Sequence, residues 1–155
     1  MKKAFVFCLC FVMCLMFVGC GYEKEAFVFD DLEFEVKMRL DEQARAAKEN
    51  TTMLISNVET GSSLGVISVA KMENKNIHEI YETYIIGGGD KTKTEISDKL
   101  IFVDIMHGVD SEVPEMHCFI FYDEATGAVL YGRFFQNCER DYVIHLAKSI
   151  EVSKM

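Results

Sequence analysis

A chain of 155 residues with 16 basic and 25 acidic side chains has room for one domain, with roughly two-thirds of its unfolded surface buried in a single core. Its formal charge of −9 excludes the basic footprint of a nucleic-acid binder. Neither an internal repeat nor a low-complexity segment breaks the sequence.

Lys2 and Lys3 form a short positive region, and Ala4 to Val18 is an unbroken apolar run leading to Gly19, Cys20 and Gly21. This is the anatomy of a secretory signal. Phe17-Val18-Gly19-Cys20 resembles the lipobox of bacterial lipoproteins, with a small residue before the cysteine, although Phe17 replaces the usual aliphatic residue. The resemblance implies that Cys20 receives a diacylglyceryl group on sulfur and that residues 1–19 leave as a signal peptide. Residues 20–27 then form a lipidated tether, and 28–155 a single globular domain. Its setting is the cell membrane or outer membrane, facing the periplasm or the extracellular side, with the lipid bilayer as first partner. Because Phe17 departs from the pattern, an uncut signal anchor and simple secretion are the alternatives, although a helix rising about 1.5 Å per residue over this run is only marginally long for a hydrocarbon core of roughly 30 Å. Two or three acyl chains, at about 0.8 kcal/mol per buried methylene, make an effectively permanent attachment. Without the signal, 14 basic residues face 25 acidic ones, a formal charge of −11. Such a body is repelled by anionic headgroups, which predicts that it does not lie flat on the bilayer.

Alternation of Leu32, Phe34, Val36, Met38 and Leu40 with charged residues predicts a half-covered or edge strand. Asp41 to Asn50 has helix-forming composition with a thin apolar face and reads as a short helix. Thr52 to Val58 and Leu64 to Met72 read as strands around a polar loop, the second apolar on both faces and therefore central. Ile77, Ile80, Tyr81, Tyr84 and Ile85 make a helical stripe, with Asn76 as N-cap, Glu79 reaching back to it, and Gly87 to Gly89 as terminator.

Thr94 to His107 supplies one or two strands, broken at Ser97, Asp98 and Lys99. Met116 to Asp123 and Val129 to Asn137 form a hairpin whose opposing residue numbers sum to about 251 or 252. That register separates Cys118 from the partner of Cys138 by several residues at about 3.3 Å each, beyond the roughly 7 Å Cα limit of a disulfide. Two free, buried thiols follow. Val143, Leu146, Ala147 and Ile150 mark a last helix, with Asp141 as its cap. Hairpins outnumber crossovers, which predicts an α+β fold: a mainly antiparallel sheet of about six strands with helices packed on it.

The closing hairpin and a final helix ending in Lys148-Ser149-Ile150-Glu151 resemble the PsbP-like group over about residues 28–152. The resemblance implies an α/β/α sandwich, no catalytic motif and no cofactor, since bacterial members act mostly as binding or accessory modules.

Candidate chemistry is sparse. Gly87-Gly88-Gly89-Asp90-Lys91-Thr92 lacks the strand-then-helix context of a phosphate loop. His78 and Glu82 lie one turn apart without the second histidine of a zinc helix. Asp104, His107, Asp110, Glu112, Glu115 and His117 crowd one strand-loop-strand segment and offer ligand types for a divalent ion, although a solvated acidic loop is the simpler reading. His145 reads as a core histidine, and no nucleophile–base–acid set is evident. The expectation is a non-enzymatic binding or accessory module with an envelope or secreted protein partner and no nucleic acid. An immunity lipoprotein meeting a basic toxin is the alternative. An envelope hydrolase depending on His107 or His117 ranks last.

Overall fold

The computed structural model describes residues 21–47, 51–85, 89–108, 112 and 115–155. The apolar leader, Cys20 and Asp110 lie outside these. Among the described residues the elements are β1 (Tyr22–Phe29), β2 (Leu32–Arg39), β3 (Glu42–Ala47), β4 (Thr52–Asn57), β5 (Ser63–Lys71), α1 (Ile77–Tyr84), β6 (Asp90–Ser97), β7 (Leu100–Met106), β8 (Glu115–Asp123), β9 (Ala128–Phe135), α2 (Arg140–Lys148) and β10 (Glu151–Lys154). The fold is α+β and its strand pairings are antiparallel. Its strands exceed the six expected. A seven-stranded sheet runs β3-β4-β5-β9-β8-β7-β6, and a second sheet of three runs β1-β2-β10.

Alternating burial explains the layering. Phe102, Phe119, Phe121, Leu130, Phe134, Ile67 and Val69 project from one face of the large sheet. They meet Leu32, Phe34, Val36 and Met38 of β2 and Val143, Leu146 and Ala147 of α2. Ile101, Val103, Ile105, Cys118, Ile120 and Val129 project from the other face and meet Ile77 and Ile80 of α1. Strands covered on both faces are near-continuously apolar, which is why Cys118 to Tyr122 shows no alternation.

Two expectations are corrected by this arrangement and a third is narrowed. Asp41 to Asn50 is not a helix: through Ala47 it is β3, the edge strand paired with β4. Helix propensity is a weak prior, and a strand places Glu42 and Ala44 on the core-facing side of the sheet, which a helix with a thin apolar stripe would not achieve. β2 keeps its predicted alternation through Met38 and is half-covered, one of the two alternatives expected; it is the centre of the small sheet and not an edge, because β1 and β10 pair with it on either side, and Leu40 falls beyond it, exposed in the turn. Asp141 does not cap α2; Glu139 holds that position without a side-chain cap, and Asp141 lies in the first turn, where its charge still complements the helix dipole. In addition, β1 begins at Tyr22, within the stretch assigned to a tether.

Other features match. Asn76 Oδ1 accepts from His78 N and Glu79 N at 3.0 Å, and Glu79 Oε2 accepts from Asn76 N at 3.0 Å, a complete capping box. Met116 lies opposite Phe135 and Asp123 opposite Ala128, the predicted register. Cys118 and Cys138 are both free and buried. Among the described residues no helix is long and apolar enough to cross a membrane.

Two glycines in the sheet serve close approach. Gly65 lies opposite Phe134, and Gly132 opposite Phe119, each beneath its partner's ring. The two rings stack with centroids 6.2 Å apart, filling the space the missing side chains leave. A Cβ on Gly132 would stand 2.1 Å from Phe119 Cε1. Gly132→Ala is therefore expected to lower stability by about 1–3 kcal/mol through overpacking; an unchanged urea midpoint would contradict this packing.

Candidate functional site

On the α2 side of the large sheet, the cross-strand pair Asp104 of β7 and His117 of β8 replaces the apolar pairs found further along. His117 Nδ1 and Asp104 Oδ1 are 2.8 Å apart, and Arg140, the first residue of α2, donates from Nε to Asp104 Oδ2 at 2.9 Å. A carboxylate only accepts, so the imidazole donates through Nδ1–H and its Nε2 turns toward Glu115, 4.0 Å from Oε1. The His117 ring, 4% exposed, stacks near Phe102 with centroids 6.1 Å apart, and the Arg140 guanidinium covers the same phenyl at 5.0 Å. The cluster thus fastens the start of α2 to two central strands.

Of the six residues singled out for ligand chemistry, the structure brings together Asp104, Glu115 and His117, whose ligand atoms lie within 4.8 Å of one another. Glu112 is exposed beside Phe135 and Asn137, and His107 approaches Gly89. The donor set suits a divalent ion in type, with Asp104 placed to orient the imidazole behind Nε2. Its electrostatics point elsewhere. Arg140 already neutralises Asp104, one of the two carboxylates of the set, and both Arg140 and Glu115 are substantially solvent-exposed.

An oriented imidazole can also act as a base, but a base needs a nucleophile within hydrogen-bond reach. The neighbouring thiol is not one. Cys118 points to the opposite face, where the Tyr131 hydroxyl stands 3.9 Å from Sγ and burial pushes the thiol up to about 11. Cys138, buried elsewhere, is pushed up to about 12, mainly by burial.

The remaining candidates resolve as local structure. Exposed His78 reaches the edge strand, its Nδ1 3.2 Å from Lys93 Nζ and 3.7 Å from Glu95 Oε1. Lys91 Nζ donates to the Ile85 carbonyl at 3.3 Å, closing the helix end where a phosphate loop would need to bind; Gly87 and Gly88 are outside the described residues. His145 is exposed, a correction to the core position expected, and its ring packs on Tyr22 with centroids 4.5 Å apart. It falls one step off the buried stripe of α2.

A second polar group was not legible beforehand. Glu42, 5% exposed, accepts a hydrogen bond from the Tyr142 hydroxyl, and Arg39 lies 4.3 Å over the Tyr142 ring while donating to Glu139 at 2.6 Å. Burial raises the Glu42 carboxyl above its usual range, opposed by Tyr142 and Arg39. The signal that could have revealed it is an acid in phase with Ala44 on a strand, invisible once the segment is read as helix.

Comparison with protein-family models gave no match, and no curated protein matches the chain significantly.

Two measurements check these networks. Asp104→Ala leaves His117 and Arg140 without their acceptor and is expected to lower stability by about 1–3 kcal/mol, with wild-type zinc titration giving no saturable heat; a stoichiometric binding isotherm would instead establish a metal centre. Because the folded state raises the Glu42 carboxyl above its unfolded value of 4.5, this group's contribution to stability falls as pH rises through the window just above that value. Glu42→Gln, which still accepts from Tyr142, should match the wild type near pH 4 and gain over it toward neutrality. Parallel melting curves across pH would refute this.

Proposed function

We propose that the chain is a membrane-anchored extracytoplasmic lipoprotein that works as a non-enzymatic binding or accessory module at the cell envelope. The observation that carries this reading is Phe17-Val18-Gly19-Cys20 behind a positively charged, unbroken apolar leader. Acylation of Cys20 would place the acidic domain outside the cytoplasm, held by lipid. The β8–β9 hairpin followed by α2 is the part of the element order that supports the resemblance to the PsbP-like group, whose bacterial members act mostly as accessory modules; β3 in place of a helix, and β10 beginning at Glu151 after α2, depart from the order that carries that resemblance.

The surface best suited to a protein partner is the outer half of the large sheet on the α1 side. Arg45, Leu54, Val66 and Arg133 stand side by side across β3, β4, β5 and β9. Neighbouring strands are about 4.8 Å apart, so the two arginines are roughly 14 Å apart with aliphatic side chains between them. Leu54 is 44% exposed. Among the described residues Arg45 donates to Gln43 at 3.3 Å, Arg133 leans toward the Tyr131 ring at 5.6 Å, and neither pairs with an acid. Two uncompensated guanidiniums around an apolar strip, on a chain otherwise rich in acids, suit a partner protein surface that presents carboxylates around an apolar centre.

Labelled palmitate should appear on the wild type and not on Cys20→Ala. A photocrosslinker at position 54 should capture an envelope protein in intact cells, and Arg45→Glu with Arg133→Glu should abolish that adduct. An unlabelled wild type overturns the anchor; the absence of any position-54 adduct above background overturns the binding face.

A further inference from the structure

We infer that the end of the domain formed by Leu40 and Val58 docks directly on the bilayer surface, an inference that rests on the lipid anchor proposed above and adds the orientation of the domain to it. The Gly21 carbonyl accepts from Leu40 N at 3.2 Å, and Val58 N donates to the Asp41 carbonyl at 2.7 Å. The turn after β2 and the loop after β4 therefore meet at one tip, next to the first described residue. Gly21, which follows Cys20 directly in the sequence, is thus part of this tip, so a lipid carried on Cys20 would be attached beside it. With β1 paired to β2 from Tyr22 onward, nothing between anchor and fold can act as a spacer.

The tip is apolar where it would meet lipid. Leu40 is 61% exposed and Val58 53%, which places two large aliphatic side chains in water beside the attachment point. An amphipathic surface of this kind settles at the headgroup–acyl boundary, where the glycerol of a diacylglyceryl cysteine also lies. Exposed Asp41 and Glu59 flank the two side chains, and Arg39 is already paired with Glu139. That charge suits a zwitterionic surface better than an anionic one. The turn joining β8 and β9 lies at the opposite end of the sheet, since Ala128 pairs with Lys71 and Phe134 with Gly65.

The test uses the full lipidated protein, reconstituted into phosphatidylcholine vesicles, with an environment-sensitive dye on Leu40→Cys, Val58→Cys or the distal Ala125→Cys. Buried Cys118 and Cys138 are shielded from the dye. Palmitate on Cys20 is verified in each sample. The expected result is a blue shift at 40 and 58 and loss of emission with nitroxide-labelled lipid, while 125 keeps its aqueous spectrum. Aqueous emission at 40 and 58 in verified lipidated protein overturns the docking but leaves the anchor standing. So does shielding at these positions from iodide without quenching by nitroxide lipid, since protein would then cover the tip. Absence of palmitate removes the anchor and the docking together.

Discussion

The architecture depends on burial of both faces of the central hairpin. From His117 to Asp123, β8 has no solvent-facing side, and its partners β7 and β9 are nearly as enclosed. A sheet apolar on two faces must be covered twice, and the chain has only two described helices with which to do it. α1 covers one face. On the other, α2 is too short for the area, and the three-stranded sheet supplies the rest by laying Leu32, Phe34, Val36 and Met38 on the phenylalanines of β7 to β9. The small sheet is thus a structural requirement of the hairpin and not an appendage.

This requirement also determines where polar groups can enter. Asp104 and His117 occupy core-facing positions at the end of the hairpin, where α2 begins, and Arg140 completes them. Glu42 enters at the edge where β3 passes α2, and Tyr142 completes it. One network joins α2 to β7 and β8 and the other joins it to β3, each through a group that is costly to bury alone. Together they fix the helix at the register its apolar stripe would permit with some slack. In this setting the acid–imidazole pair, in form suited to proton transfer, serves as a structural contact through Asp104 and Arg140.

Much of this was legible in residues whose local and tertiary preferences agree. The capping box of α1, the alternation of β2 and the two-faced pattern of Val66 to Met72 all survive folding, because each pattern states both an element and its buried side. Legibility failed where the two preferences disagree. Gln43 to Lys48 favours a helix on propensity, yet an edge of the large sheet needed a strand, and pairing with β4 outweighed composition. β10 was missed because Glu151 to Lys154 is short and mostly exposed; only its pairing with β2 makes it a strand. The Asp104–His117–Arg140 network was half legible. The acidic segment is evident by eye, whereas Arg140 lies 36 residues from Asp104 and is joined to it only by the fold.

That small sheet imposes an order on folding. Val152 lies opposite Phe34, and Tyr142 meets Glu42 across a separation of 100 residues. β2 therefore cannot gain both neighbours until β10 is available, and contacts of this separation close late because loop entropy must be overcome first. A chain folding before β10 is in place has β2 unpaired on one side and its apolar face uncovered. The charged residues between those apolar positions, Glu33, Glu35 and Lys37, keep the waiting strand soluble on its other face. Their alternation thus does two things: it marks the strand in the sequence, and it protects an open edge until β10 arrives.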